Sequence, residues 1–256
     1  MKANGDFYNR SMIRSLTVAL SLALVLAMVL GTGPVMAEET PGTVTGNKTV
    51  ASNDIPCDGT TKVTLTLEGK TGIAGAPADI MLVLDRSGSM VGSPLAALKN
   101  AANKFVDKID EGTDGSLDGT IANGSRIGVV SFDSSASLNQ GLTSDANAVK
   151  AAINGLSVGG LTAVGDGINL AQAQIASSAK PIMIVFTDGV SNTGADPDTA
   201  ASNAKAADTE IYSIGLGSVD VGKVTAWASD PKLTHVYITP DEDDLEDIFE
   251  AIGAAI

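Results

Sequence analysis

From Pro77 onward, continuous apolar runs alternate along the chain with stretches in which apolar residues recur every three or four positions. The continuous runs predict buried strands, and the amphipathic stretches predict helices. Because this alternation is typical of βαβ units, the sequence predicts an α/β fold around a largely parallel sheet. The predicted strands are residues 80–84, 127–132, 136–142, 182–186, 211–214 and 235–238, of which the third is weaker and is expected at a sheet edge. The predicted helices are residues 94–109, 145–156, 164–178, 196–207 and 221–228, with a last helix on Leu245, Ile248, Phe249 and Ile252, and residues 107–125 are predicted as a polar loop.

Residues 38–77 differ in texture, being rich in Thr, Gly, Asp and Asn, with one strict alternation of Val63, Leu65 and Leu67 with polar residues. That alternation predicts a half-buried strand, which needs a partner strand to be stable. No partner strand stands out in the sequence. We therefore predict a β-rich or linker segment over 38–77 and a main domain over 78–256. The segment is expected either to pack on the edge of the main sheet or to belong to a shortened form of a longer surface protein.

The first 37 residues have the pattern of an export signal. Three basic residues, Lys2, Arg10 and Arg14, precede a long uncharged run that ends in small residues up to Ala37. Cleavage is predicted after Ala37, which would leave the protein secreted or at the cell surface. An uncleaved membrane anchor is the alternative, although the strongly apolar part, residues 16–30, is short for a membrane span.

Charge and cysteine content exclude some classes of protein. The formal net charge is -14 over 256 residues, which argues against binding nucleic acid or anionic lipid by long-range attraction. An acidic balance suits cations or basic partners, and a solubilising surface explains it equally well. Cys57 is the only cysteine, so an intrachain disulfide is impossible.

Candidate chemistry lies where predicted strands end. Asp85, Ser87 and Ser89 directly follow the first strand of the main domain, Thr162 precedes a predicted helix, and Asp188 follows the strand 182–186. In an open parallel sheet, ligands collect beyond the carboxyl ends of the strands. Carboxylate and hydroxyl oxygens are hard ligands that suit magnesium, calcium or manganese. Two acids and three hydroxyls would leave room in the coordination sphere for water or an incoming ligand.

At these residues the chain resembles the von Willebrand factor type A family and its metal-ion-dependent adhesion site. That family has the pattern Asp-x-Ser-x-Ser, a distant Thr and a distant Asp, which fall here on the five residues just named. Gly159-Gly160 before the threonine and Thr187-Asp188-Gly189 after the later strand match as well. The likeness covers about residues 78–256, and the export signal favours an exported prokaryotic type of the family.

The resemblance implies a doubly wound, mainly parallel sheet with helices on both faces and one antiparallel edge strand. It also implies a divalent cation, magnesium first with manganese or calcium as alternatives, on the upper rim of the sheet. Adhesive members of the family bind a protein partner through a carboxylate that completes the metal sphere. We therefore expect a protein ligand with an exposed acidic residue, no small-molecule substrate and no catalysis.

Four other interpretations of these residues remain open. The acid and serines of the first motif could cap the helix that begins near Pro94. Ser87 or Ser89 with His235 could form a hydrolase site, although no nucleophile elbow surrounds either serine. Nucleotide binding at Gly215-Leu216-Gly217 is weak because the third glycine is missing. Intracellular relatives assist an ATPase or chelatase complex, and the export signal argues against that role.

Side chains near the motifs are predicted to have structural or peripheral roles. Arg86, at a variable position of the motif, is expected to face solvent, where it could touch a partner. Asp133, Asp166 and Asn192 are expected to be turn or cap residues. His235 is expected to be structural, and so is Trp227.

Overall fold

A computed structural model describes residues 43–50, 63–70, 76–175 and 179–256. The chain divides into two compact units, with the boundary between Ile73 and Ala74. The predicted export signal and its cleavage position at Ala37 lie outside the described residues.

The N-terminal unit contains one two-stranded antiparallel sheet. Strand β1 (Thr43–Val50) pairs with β2 (Val63–Lys70), with Thr43 opposite Lys70 and Val50 opposite Val63. The strand predicted from Val63 to Leu67 therefore has a partner within this chain. Sequence reasoning missed β1 because its apolar residues, Val44 and Val50, are too few to show alternation.

The larger unit is built on a six-stranded sheet with the strand order β5-β4-β3-β6-β7-β8. Five strands run parallel, and β5, at one edge, runs antiparallel to β4. The fold is therefore the predicted α/β architecture with a single antiparallel edge strand. The strands are β3 (Ala78–Asp85), β4 (Arg126–Phe132), β5 (Ala136–Thr143), β6 (Lys180–Thr187), β7 (Glu210–Leu216) and β8 (Val236–Thr239).

Helices cover both faces of this sheet because alternate residues of the central strands are apolar on both sides. From β3, Ile80, Leu82 and Leu84 point into one buried cluster, whereas Met81 and Val83 point into the other. The first cluster includes side chains of α1 (Ser93–Asp114), α2 (Ala146–Asn154) and α7 (Leu245–Ala255). The second includes side chains of α3 (Val164–Gln172), α4 (Pro197–Ala206) and α5 (Val221–Trp227), and a short helix, α6 (Lys232–His235), precedes β8.

Helix α1 is longer than its apolar pattern predicted, so the expected loop over 107–125 is partly wrong. The helix runs on through a polar turn because Asp110 is fully buried and its Oδ2 accepts a hydrogen bond from the Gly119 amide at 2.9 Å. It ends at Gly115, which takes a left-handed conformation at φ 80°. Helix α3 is shorter than predicted, and His235 ends α6 instead of beginning a strand.

The sheet topology places a ligand site at the carboxyl end of β3. The chain adds β4 and β5 on one side of β3 and then adds β6, β7 and β8 on the other side, so the order of the strands reverses at β3. Such a switch point opens a crevice between the loops that follow the adjacent strands. None of the helices in the described parts of the chain is long and apolar enough to cross a membrane.

We expect Phe249→Ala to lower the free energy of unfolding by about 3 to 5 kcal/mol. Phe249 is fully buried and packs edge-on against Phe105 of α1, with ring centroids 6.2 Å apart. The matched control is Glu246→Ala on the same helix, which removes only an exposed ion pair with Lys104 and should cost about 1 kcal/mol or less. Urea unfolding of both variants tests this, and equal losses would show that α7 is not held by its apolar face.

Candidate metal site

Asp85 is the last residue of β3, and its side chain is fully buried at the carboxyl edge of the sheet. Both of its carboxylate oxygens are engaged. Oδ1 accepts a hydrogen bond from the Ser87 amide at 2.8 Å, and Oδ2 accepts one from the Thr187 hydroxyl at 2.6 Å. The first bond bends the chain directly after the strand, and the second ties β3 to the end of β6.

A chain of hydroxyl contacts extends from this carboxylate to a second one. The Ser87 and Ser89 hydroxyls are 3.1 Å apart, and the Ser89 hydroxyl donates to Asp188 Oδ1 at 2.6 Å. The structure therefore brings four of the five predicted site residues into one hydrogen-bonded group. Asp85 and Ser87 lie at its buried end, and Ser89 is exposed.

Thr162, the fifth predicted residue, lies on an adjoining loop and is buried. That loop contacts the first motif through the Gly88 amide, which donates to the Gly160 carbonyl at 3.0 Å. Asn192 fixes Thr162 from the other side. Its side-chain Oδ1 accepts from the Thr162 amide at 2.9 Å, and its own amide donates to the Thr162 carbonyl at 3.0 Å.

Two positioning residues were missed by sequence reasoning. Thr187 was noted only as part of Thr187-Asp188-Gly189, although its hydroxyl supports the buried Asp85 carboxylate. Asn192 was expected to be a turn residue, although it brackets Thr162. The signal for Thr187 was its position at the end of a buried strand, whereas Asn192 stands in a polar loop without any distinguishing pattern.

The prediction that Arg86 faces solvent is wrong. Its guanidinium is mostly buried and forms an ion pair with Asp133 at 2.7 Å. Its Nε donates to the Ser131 hydroxyl at 3.1 Å, and its Nη1 lies 3.4 Å from the Ser157 carbonyl oxygen. The side chain turns inward because its acceptors in β4, in the loop after β4 and in the loop after α2 all lie within reach of the guanidinium.

The Gly159-Gly160 pair allows this close approach of loops. A β-carbon on Gly159 would lie 2.4 Å from the Asp133 carboxylate, and one on Gly160 would lie 2.0 Å from the Ser134 hydroxyl. Neither contact is sterically possible, so a side chain at either position would displace the Asp133 carboxylate from Arg86 or the Ser134 hydroxyl from the Leu161 amide. The glycines thus let the backbone before Thr162 lie under the Arg86 and Asp133 pair.

Burial dominates the electrostatics of both acids. Burial raises the pKa of Asp85 from 3.8 to about 6, despite opposing hydrogen bonds from Ser87 and Thr187, and the charge of Asp188 raises it further. Burial also raises the pKa of Asp188, against the hydrogen bond from Ser89. Two carboxylates with raised pKa values at one place favour either protons or a cation.

The donors fit a hard divalent cation. Among the described residues, no group of three or more His, Cys, Asp and Glu side chains could hold a metal, so a site at the two acids would need further oxygen ligands. Asp85, Asp188 and their serine neighbours supply such oxygens within hydrogen-bonding distance of each other. This set suits magnesium, manganese or calcium better than a soft metal.

The helix-cap and hydrolase interpretations of the motif have no geometric support. Helix α1 has Gly92 as its N-cap, so neither Asp85 nor either serine caps that helix. His235 is paired with Glu210 at 2.7 Å and is stacked on Tyr212. Glu210 begins β7, whereas Asp85 ends β3 in the same parallel part of the sheet, so this histidine lies at the opposite end of the strands from the serines.

A cleft of about 550 Å³ opens beside Asp188. It is bordered by the loops that follow β6, β7 and β8 and by the start of α1. Its lining residues are Pro94, Asp188, Leu216, Gly217, Ser218, Pro240, Asp241 and Glu242. Of the five predicted ligands only Asp188 lines this cleft, so the cleft gives solvent access to the Asp188 end of the group, with Asp241 and Glu242 also on its border.

Comparisons with known proteins agree with this fold. A UPF0353 protein of Mycolicibacterium paratuberculosis is 31% identical over 180 residues, which cover 61% of this chain and 50% of that one. The chain spans half or less of the length of the first curated relatives that it matches.

Solved structures are similar as well. One is proximal thread matrix protein 1 from the mussel byssus, whose structure has zinc in its metal-ion-dependent adhesion site (MIDAS) motif. It matches at 25% identity and a TM-score of 0.59, over 70% of this chain and 46% of that one. The type V pilus tip protein Mfa5 of Porphyromonas gingivalis shares the fold at 17% identity and a TM-score of 0.61, over 70% of this chain and 95% of its von Willebrand factor domain. Residues 79–251 match the von Willebrand factor type A domain, and the chain belongs to that family.

Proposed function

We propose that this protein is an exported, non-catalytic module that binds a protein partner through a divalent cation. The observation that carries the proposal is the fully buried Asp85 carboxylate, which has a raised pKa, neutral hydrogen-bond donors and a second carboxylate nearby. A buried carboxylate is normally compensated by a positive charge. A cation bound by the neighbouring oxygens would supply that charge.

Asp85, Ser87, Ser89, Thr162 and Asp188 are the residues that would hold the cation. Magnesium is the proposed ion, with manganese or calcium as alternatives, because all five side chains offer hard oxygens. When bound, the cation supplies a positive charge and an open coordination position for a partner's carboxylate. The chain's own contribution is to hold the oxygens in place with Thr187 and Asn192 and to leave one side open at the cleft.

Two relatives support an adhesive role. The mussel protein is a thread matrix protein with zinc in the corresponding motif, and Mfa5 is a pilus tip protein. Both names describe proteins that act in extracellular assemblies. The basic and apolar pattern before Ala37 supports export of this chain as well, so we propose that it is secreted or displayed at the cell surface.

Saturable binding of magnesium or manganese is expected for the wild-type chain in calorimetric titration. Asp85→Asn and Asp188→Asn should each weaken binding by at least about tenfold, because each removes a carboxylate from the site. Asp118→Asn is the matched control, since Asp118 is an exposed acid on the loop after α1. Equal affinity in all four proteins would place cation binding elsewhere and defeat the proposal.

Asp85 should give the metal-free domain an unusual dependence on pH. Its pKa is about 6 when folded and 3.8 unfolded, so the folded state binds more protons between these values. In EDTA, the unfolding free energy of wild type relative to Asp85→Asn should fall by up to about 3 kcal/mol as the pH rises through this window.

Excess magnesium should reverse this trend, because cation binding requires the deprotonated carboxylate and strengthens as pH rises. Urea unfolding at three pH values between about 4 and 8, with and without magnesium, measures both trends. A wild-type to variant difference that does not change with pH would contradict the assigned protonation of Asp85.

A further inference from the structure

Arg86 directly follows Asp85 in sequence, but its side chain contacts two other parts of the domain. The guanidinium is mostly buried and is paired with Asp133, in the loop after β4, at 2.7 Å. It also contacts the Ser131 hydroxyl of β4 and the Ser157 carbonyl oxygen. Ser157 belongs to the loop after α2, residues 155–163, which leads to α3. One side chain therefore joins the loop after β3 to the loop after β4 and to the loop after α2.

The backbone of Arg86 is tied to the same two places. Its amide donates to the Phe132 carbonyl at 2.9 Å, and its carbonyl accepts from the Gly159 amide at 2.8 Å. A β-carbon on Gly159 would lie 2.4 Å from the Asp133 carboxylate and 3.0 Å from the Arg86 guanidinium. The ion pair is therefore packed directly against the backbone of the loop after α2.

The loop after β4 holds Thr162, the candidate ligand in the loop after α2, from both sides in sequence. The Asp133 carbonyl accepts from the Ala163 amide at 2.8 Å. The Ser134 hydroxyl accepts from the Leu161 amide at 3.0 Å. Because Thr162 lies between these two amides, its position depends on that of the loop after β4.

We propose that Arg86 is a positioning residue, which holds Thr162 where it can bind the same cation as Asp85. This assignment rests on the proposed function, because it concerns the same site. The guanidinium fixes Asp133, and the backbone of the loop after β4 then fixes the amides on either side of Thr162. Asn192 ties Thr162 to the loop after β6. Arg86 thus supplies the connection to the loop that follows Asp85.

Charge and positioning predict opposite effects when the guanidinium is removed. Arg86→Ala deletes a positive charge next to Asp85 and frees the negative charge of Asp133. By charge alone, both changes would strengthen the binding of a divalent cation. Loss of positioning weakens binding instead, by about 10 to 100-fold, as is typical when a residue that orients metal ligands is removed. The loss is incomplete because the Gly88 amide still donates to the Gly160 carbonyl.

The first experiment measures the manganese affinity of the full chain from the electron paramagnetic resonance signal of the unbound ion. Arg86→Ala should bind manganese about 10 to 100-fold more weakly than wild type. Arg86→Lys should lie between the two, because an ammonium keeps the charge and lacks the planar fork. Lys150→Ala is the matched control and should leave the affinity unchanged, since it removes a partly buried ion pair with Asp107, between α2 and α1.

A double-mutant cycle with Thr162→Val tests the route by which Arg86 acts. The valine keeps the shape of the side chain and removes the hydroxyl, so Thr162→Val alone should weaken manganese binding. In the Arg86→Ala background the same change should have little further effect, because Thr162 would already be out of place. Losses of affinity that multiply would show that the two residues act independently, and would overturn the assignment.

The outcomes separate this assignment from the proposed function. A wild-type chain that does not bind manganese would overturn the proposed function and the assignment with it. Manganese binding that Arg86→Ala leaves unchanged or strengthens would overturn the assignment alone, even if urea unfolding shows a loss of stability. If Arg86→Ala does not fold, Arg86→Lys decides, because it keeps the charge, and an affinity equal to that of wild type would overturn the assignment.

Discussion

The contacts at the carboxyl end of the sheet depend on one constraint, which is the burial of the Asp85 carboxylate. A carboxylate that is fully buried must receive hydrogen bonds or a positive charge. The parallel register of β3 and β6 sets Leu84 opposite Phe186, so the next residue of β6, Thr187, arrives where its hydroxyl can donate to Asp85. The pairing of these two central strands therefore places one hydrogen-bond donor beside the carboxylate without any contribution from the loops.

The loops satisfy the remaining requirements with short-range geometry. Ser87 turns back to donate its amide to Asp85, and the glycine pair before Thr162 lets a second loop approach closely. Ion pairing of Arg86 with Asp133 holds those two loops together. The register of β3 and β6, the glycine pair and the ion pair of Arg86 with Asp133 thus all help to hold the loops around Asp85 in place.

Much of this could be predicted from sequence, because its causes are local. Apolar runs located every strand of the main sheet, and the weak pattern of 136–142 correctly marked the edge strand. Asp85, Ser87, Ser89 and Asp188 were found because they follow two of those runs, whereas Thr162 was found in front of a predicted helix. Arg86 was misplaced because its partner, Asp133, is 47 positions away and nothing nearby signals a buried cation. The end of α1 was misplaced for a similar reason, since Asp110 is stabilised by a loop amide nine positions later.

The family's fold tolerates wide sequence change, as shown by a TM-score of 0.61 at 17% identity with the pilus tip domain. Function therefore has to be argued from the side chains at the carboxyl end of the sheet and not from the fold. The buried Asp85 and the inward-facing Arg86 are two of those side chains.

The separation of Asp85 and Thr187 by 102 positions has a consequence for the order of folding. Contacts so distant in sequence form only after the intervening chain has been organised, because loop closure costs entropy before the contact gives any gain. A cation at this rim would meet its oxygens only after β3 and β6 are paired. Its effect would then fall on the rate of unfolding and leave the rate of folding almost unchanged, so a bound ion would prolong the life of a fold that it does not help to create.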